Sequence, residues 1–170
     1  MDNKQLEHNE YQREIKQFPL CLLAHDMEVP MNVGSLFRIA DAFGVEKIYL
    51  TGNSPVPPNR KIRKTSRATE NAVAYESKQD VYEVINELKQ KGYLIVSLEI
   101  TSNSTDINVF CKNKMDKVCL IVGSENKGVD ADLLSVSDHV VHIPMFGQNS
   151  SMNVATASSV AVFEIIKTLV

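Results

Sequence analysis

Two stretches in the last third of the chain restrict its fold more than any other feature. Each is a short strand-like run that breaks into a glycine turn and then into a helix-like segment. The first is Val118–Val122, followed by Gly123-Ser124-Glu125-Asn126-Lys127-Gly128. The second is His139–Ile143, followed by Pro144-Met145-Phe146-Gly147-Gln148-Asn149-Ser150-Ser151-Met152-Asn153. A third turn comes earlier, at Asn32-Val33-Gly34-Ser35-Leu36-Phe37-Arg38. Repeated strand-to-helix turns build a parallel sheet with helices packed on it, and nucleotide-like ligands bind at the carboxyl edge of such sheets.

The remaining pattern agrees with an α/β protein whose mostly parallel sheet has helices on both faces. Phe18–Ala24 is a continuous apolar run, as expected of a strand buried on both sides. From Asn32 to Phe43 the apolar residues Val33, Leu36, Phe37 and Ala40 recur at helical spacing on one face. Asn32 reads as the N-cap of that helix and Gly44 as its stop. Lys47–Thr51 is the next strand. A loop over 52–59 leads into Arg60-Lys61-Ile62-Arg63-Lys64-Thr65-Ser66-Arg67, with five cations in eight positions. Val81–Lys91 is a helix and Tyr93–Glu99 a strand. Thr101–Cys111 is polar and irregular, and a last helix runs from about Ser151 to Leu169. Residues 1–17 read as a polar arm or weak helix. With no linker and no repeat, 1–170 is expected to be a single domain.

Composition excludes several classes. The 170 residues are 44% hydrophobic, which is ordinary for a soluble fold. No apolar run has the length of a membrane span, and the polar start is unlike a signal peptide. Cys21, Cys111 and Cys119 are scattered and form no C-x-x-C pair, so they are expected to be reduced thiols in a cytoplasmic protein. The formal charge of −3 carries no general nucleic-acid signal, so any such signal is local to the Arg60–Arg67 cluster. No G-x-G-x-x-G follows a strand. Gly123 and Gly128 have the spacing of a phosphate loop, but Val129-Asp130 stands where Lys-Ser/Thr is needed. There is no G-x-S-x-G. No metal site is expected: His139 and His142 point to opposite faces of one strand and are read as meeting backbone carbonyls. His8 and His25 have no sequence partners.

Three motifs in order carry a resemblance. They are N-x-G-x-x-x-R (Asn32, Gly34, Arg38), V-G-S-E-N-K-G-V (Val122 to Val129) and I-P-M-x-G…S-M-N-V-A (Ile143 to Ala155). Together they resemble the SpoU, or TrmH-like, branch of the SPOUT RNA methyltransferases. The segments Ile48–Gly52, Lys64-Thr65-Ser66 and Leu98-Glu99 are similar to that branch as well, so the likeness covers about residues 18–168. It implies a C-terminal trefoil knot, which ordinary connection rules disfavour. It also implies a homodimer, S-adenosylmethionine bound in the knot, and methylation of a ribose 2′-hydroxyl of tRNA or rRNA.

Carried over residue by residue, the resemblance places the cofactor near Leu98, Gly123, Ile143, Met145 and Met152. It gives catalytic parts to Arg38, Asn32, Glu125, Ser151 and Asn153. Each residue also has a plainer reading. Arg38 lies off the apolar face, as a solvated arginine would. A guanidinium gives up its proton poorly, so it is a poor base and a good bidentate grip on phosphate. Asn32 caps a helix, steers Arg38, or does both. Glu125 holds either Arg38 or its own turn. Ser151 and Asn153 cap the last helix or flank the reacting ribose. A catalytically idle knotted module that only binds RNA would not need all five.

Arg60, Lys61, Arg63, Lys64 and Arg67 are read as RNA phosphate contacts rather than as a merely solvated loop. The family often has a small residue or glycine near this point, where this chain has Arg67-Ala68-Thr69. No stretch resembles the separate N-terminal RNA-binding domain of many relatives. The dimer surface is then expected to grip the RNA, which suits a compact tRNA. The expected target is a guanosine ribose in the tRNA D-loop, with the tRNA wobble position or an rRNA site as alternatives.

Overall fold

In the computed structural model, which describes residues 3–7, 10 and 14–170, one seven-stranded sheet organises the chain. Its strands are β1 (Phe18–His25), β2 (Val45–Thr51), β3 (Tyr75–Lys78), β4 (Leu94–Leu98), β5 (Thr105–Asp106), β6 (Val118–Val122) and β7 (His139–His142). Their order across the sheet is β3-β2-β1-β6-β4-β7-β5, and every pairing is parallel. The helices are α1 (Pro30–Phe43), α2 (Arg60–Ser66), α3 (Val81–Gln90), α4 (Ile107–Phe110), α5 (Ala131–Val136) and α6 (Val154–Leu169).

The period-2 alternation of the central strands divides the core in two. Leu20, Leu22 and Ala24 of β1 and Val118, Leu120 and Val122 of β6 face one side, where Leu36 and Phe37 of α1 and Val162 and Ile165 of α6 cover them. Cys21, Leu23, Cys119 and Ile121 face the other side, against Val84, Ile85 and Leu88 of α3 and Leu133 of α5. β1 and β6 are the most protected strands, because each is flanked by strands and covered on both faces. The three cysteines are free. Burial pushes the Cys21 thiol up to about 12, with the Glu46 carboxylate adding to the effect. Among the described residues no helix is long and apolar enough to cross a membrane.

Several expectations from sequence need correction. α1 begins at Pro30 with Val29 at its N-cap position, so Asn32 is its third residue and not its cap. Pro30 suits that start, because the first helical N–H has no partner to lose. The basic cluster is a helix rather than a loop: Asn59 Oδ1 accepts from the backbone N–H of Lys61 and Ile62 and starts α2. Thr101–Cys111 contains β5 and α4. α6 begins at Val154, so Ser151 precedes the helix, whose cap is Asn153. His142 Nδ1 meets the Ser104 hydroxyl at 3.0 Å rather than a backbone carbonyl, and the His139 ring packs on Phe110. His25 does have partners, Thr51 Oγ1 at 2.9 Å and Asp26 at 3.5 Å. Residues 3–7 and 14–17 carry no helix or strand. Met1, Asp2, His8, Asn9 and residues 11–13 of the expected arm lie outside the described residues.

Candidate functional site

The carboxyl ends of β4, β6 and β7 and the amino ends of α1 and α6 meet at one edge of the sheet. The turn after β6 is closed by two backbone bonds. Ser124 N–H donates to Gly128 O (3.1 Å) and Gly128 N–H donates to Ser124 O (2.9 Å). That closure dictates Gly123, where a Cβ would stand 2.0 Å from the Gly128 carbonyl oxygen. Gly128 is required for a different reason. Its φ is +68°, and a Cβ there would lie 2.1 Å from Glu99 Oε2. The Glu99 carboxylate fills that space and accepts from Val129 N–H and Ile100 N–H, both at 2.9 Å.

At the tip of the turn, Glu125 reaches the start of α1. Its carboxylate accepts from Glu28 N–H (2.7 Å), Val29 N–H (3.1 Å) and Asn32 Nδ2 (2.7 Å). Partial burial pushes this carboxyl upward, but the hydrogen bonds from Glu28, Asn32 and Val29 outweigh it and hold the pKa below the ordinary glutamate value. The negative charge also sits at the positive end of the α1 dipole. Glu28 answers from the other side, accepting from the Ser124 hydroxyl (3.1 Å) and from the Asn126 amide.

Asn32 extends the network to the third turn. Its Oδ1 accepts from Asn153 Nδ2 (3.1 Å), while Asn153 Oδ1 accepts from Ala155 N–H (2.9 Å) and Thr156 N–H (3.2 Å) to cap α6. A continuous polar chain, Glu125–Asn32–Asn153, therefore locks the three motifs to one another.

These elements enclose a cavity of about 400 Å³. Leu98, Gly123, Ile143, Met145 and Met152 all line it, as do Glu125, Ser151 and Asn153. Asn32 stands behind the cavity through its two side-chain bonds. Arg38 is not part of the lining; it is exposed on α1, six residues beyond Asn32 and so about 9 Å further along the helix axis. Arg60, Lys61, Arg63, Lys64 and Arg67 are all exposed on α2 and at its C-cap. Gly34 explains how α2 comes to lie against α1. A Cβ at Gly34 would meet Thr65 Oγ1 at 2.0 Å and the Ile62 carbonyl at 2.5 Å, and Thr65 Oγ1 donates to Met31 O (2.9 Å).

No site role is expected from sequence for Glu28, Glu99, Lys127 or His142, yet Glu99, Lys127 and His142 line the cavity. Glu99 stood next to a residue expected at the cofactor. Glu28 carried no local signal, because its partners lie 96 and 98 residues away. Among the described residues no group of three His, Cys, Asp or Glu side chains is placed to hold a metal ion.

The sequence profile described as the SpoU rRNA Methylase family matches residues 19–163. A Borreliella burgdorferi protein named an uncharacterized tRNA/rRNA methyltransferase is 30% identical over 91% of this chain. A Ralstonia nicotianae 23S rRNA (guanosine-2′-O-)-methyltransferase is 26% identical over 88% of it. The matches span 66% and 59% of those two proteins, so their lengths extend well beyond the shared part. Among solved structures, the AdoMet-bound rRNA methyltransferase of Sinorhizobium meliloti superposes with a TM-score of 0.83 at 22% identity, covering 93% of this chain and 59% of that one. A structure concerned with the 2-OH methylation of C/U34 on tRNA superposes with a TM-score of 0.76 at 21% identity, covering 89% of this chain and 97% of that one. At such identities the two structures show the shared fold.

Proposed function

This chain belongs to the SpoU rRNA methylase family, the SpoU/TrmH branch of the SPOUT superfamily, and from that premise we propose that it is an S-adenosylmethionine-dependent RNA methyltransferase acting on a ribose 2′-hydroxyl. The observation that carries this reading is the convergence of three separate strand-to-helix turns on one cavity, tied together through Glu125, Asn32 and Asn153. The cavity suits the donor chemically. Leu98, Ile143, Met145 and Met152 offer apolar surface for a purine, and Glu99 and Glu125 put carboxylates at a site for a positively charged ligand. When bound, the donor would supply a methyl group on a sulfonium sulfur, which leaves as a neutral thioether.

The rest of the work falls to this chain's residues. Glu125 is a poor proton acceptor: its carboxyl is held ionised and its oxygens are committed to three donors. Its part is to fix the start of α1, and through Asn32 the start of α6. Ser151 and Asn153, at the cavity wall before α6, orient the ribose. Arg38 grips a phosphate beside the target nucleotide, and its charge favours the developing alkoxide. Because it stands outside the lining of its own cavity, it acts through the bound RNA or across the homodimer that the family resemblance implies. Exposed Met31, Val160 and Phe163, on helices α1 and α6 that pack together, give a dimer apolar surface to cover. The trefoil knot and a single domain over 1–170 belong to the same proposal.

A guanosine of the tRNA D-loop is the proposed target, with the basic α2 helix meeting its phosphates. A second reading is the tRNA wobble ribose, position 34, the position named for one protein of the same fold. The test is incubation with labelled methyl donor and bulk tRNA or rRNA, followed by mapping of alkali-resistant linkages. A 2′-O-methyl in the D-loop supports the first target and one at position 34 the second. Donor binding without transfer to either RNA would favour an idle binding module.

A further inference from the structure

Away from the donor cavity, the fold builds a second, open basin of about 710 Å³ between the Pro57-Pro58 turn, α2 and the edge strand β3. Arg60, Arg63, Asn71 and Tyr75 line it together with the two prolines. Arg60 and Arg63 are one helical turn apart and so share a face of α2. Both are exposed, and no ion pair among the described residues involves either. The fold leaves these two charges unspent.

Tyr75, on the edge strand β3, is 38% exposed, and its ring makes an edge-on contact with Phe37 at 5.4 Å and 88°. Phe37 is fully buried in α1 and immediately precedes Arg38. The basin is thus anchored to the helix that carries the proposed catalytic arginine. The Glu70 carboxylate also lines the basin, where it accepts from the Ser66 hydroxyl and opposes part of the arginine charge. An aromatic face beside two guanidiniums without an ion-pair partner, with the Asn71 amide to meet a base edge, still matches an unstacked base and its sugar–phosphate. A paired A-form helix presents backbone to such a surface and keeps its base faces stacked.

We propose that this basin holds one unpaired nucleotide of the RNA substrate, its base against Tyr75 and its sugar–phosphate under Arg60 and Arg63. The proposal rests on the RNA-methyltransferase reading and adds a requirement for an unpaired nucleotide in the RNA substrate.

The test is equilibrium binding of the full chain to a fluorescently labelled single-stranded RNA dodecamer and to the same strand annealed to its complement. The single strand should bind at least about tenfold more tightly. Tyr75→Ala should lower single-strand affinity about tenfold and leave the duplex unaffected, while Tyr75→Phe retains the preference. Arg63→Gln, at an exposed position, should lower single-strand affinity several-fold with an unchanged melting temperature; it decides the matter if Tyr75→Ala does not fold. Equal affinity for single strand and duplex, or no loss in Arg63→Gln, overturns the proposal. Polyglutamate competing as well as RNA of equal charge overturns it in favour of an acidic protein partner. Donor binding by calorimetry on the same samples separates the two levels. Intact donor binding with no strand preference refutes the basin alone, whereas absent donor binding in the unmodified chain refutes the parent reading.

Discussion

Replacing Glu125 with glutamine tests whether one carboxylate joins the three motifs. The side chain keeps its length, and one oxygen still accepts, but the second becomes an NH₂ facing donors. At least one of Glu28 N–H, Val29 N–H and Asn32 Nδ2 then loses its partner. Hydrogen bonds to a charged group contribute about 1.5–3 kcal/mol, and a carboxylate at a helix start a further ~0.3–1 kcal/mol. Water reaches this half-buried site and reduces the sum, so Glu125→Gln should destabilise the fold by about 2 kcal/mol at pH 7. The pH dependence has a definite sign. Glu125 has a lowered pKa in the fold, so its contribution is complete above the ordinary glutamate value of 4.5 and disappears as pH falls through the folded value. Urea unfolding of both proteins at a series of pH values should show a gap at pH 7 that closes below pH 4.5. A gap under about 0.5 kcal/mol at pH 7, the range of ordinary surface substitutions, or one that persists unchanged at low pH, refutes the reasoning.

Other substitutions test the packing of α2, the turn after it and the part played by Arg38. Gly34→Ala should gain about 1 kcal/mol if helix propensity ruled. The collision of its Cβ with the Ile62 carbonyl and Thr65 predicts instead a loss of about 1–3 kcal/mol, seen as a lower melting temperature, and weaker RNA binding as α2 is displaced. Ala68 holds a left-handed conformation at φ 71°, so Ala68→Gly should stabilise by about 0.5–1 kcal/mol in thermal unfolding. Arg38→Ala should abolish methyl transfer while leaving donor affinity within about twofold, since the residue stands outside the cavity lining. Lost donor binding would make Arg38 structural.

How much of this was legible from the sequence depended on where the determining contacts lie. β6 was read to the residue, because Val118–Val122 is apolar on both faces and a glycine turn ends it. The buried face of α1 was equally plain from Val33, Leu36, Phe37 and Ala40. Its start was not, because the groups that hold it belong to Glu125, more than ninety residues away. β3 escaped notice because Tyr75-Glu76-Ser77-Lys78 is a polar edge strand with no apolar run. α2 was hidden for a related reason: of its seven residues only Ile62 and Ser66 turn inward, too few for a visible period. Arg67 and Ala68 both take left-handed conformations, at φ 52° and 71°, which residue spacing could not show.

The cavity between the turns after β4, β6 and β7 is the proposed methyl-donor site. A crystal structure of the chain soaked with S-adenosylmethionine tests it directly. The donor's purine should lie among Leu98, Ile143 and Met152, with its backbone neighbours at Gly123. Donor density elsewhere on the molecule, with this cavity empty at saturating concentration, would contradict it.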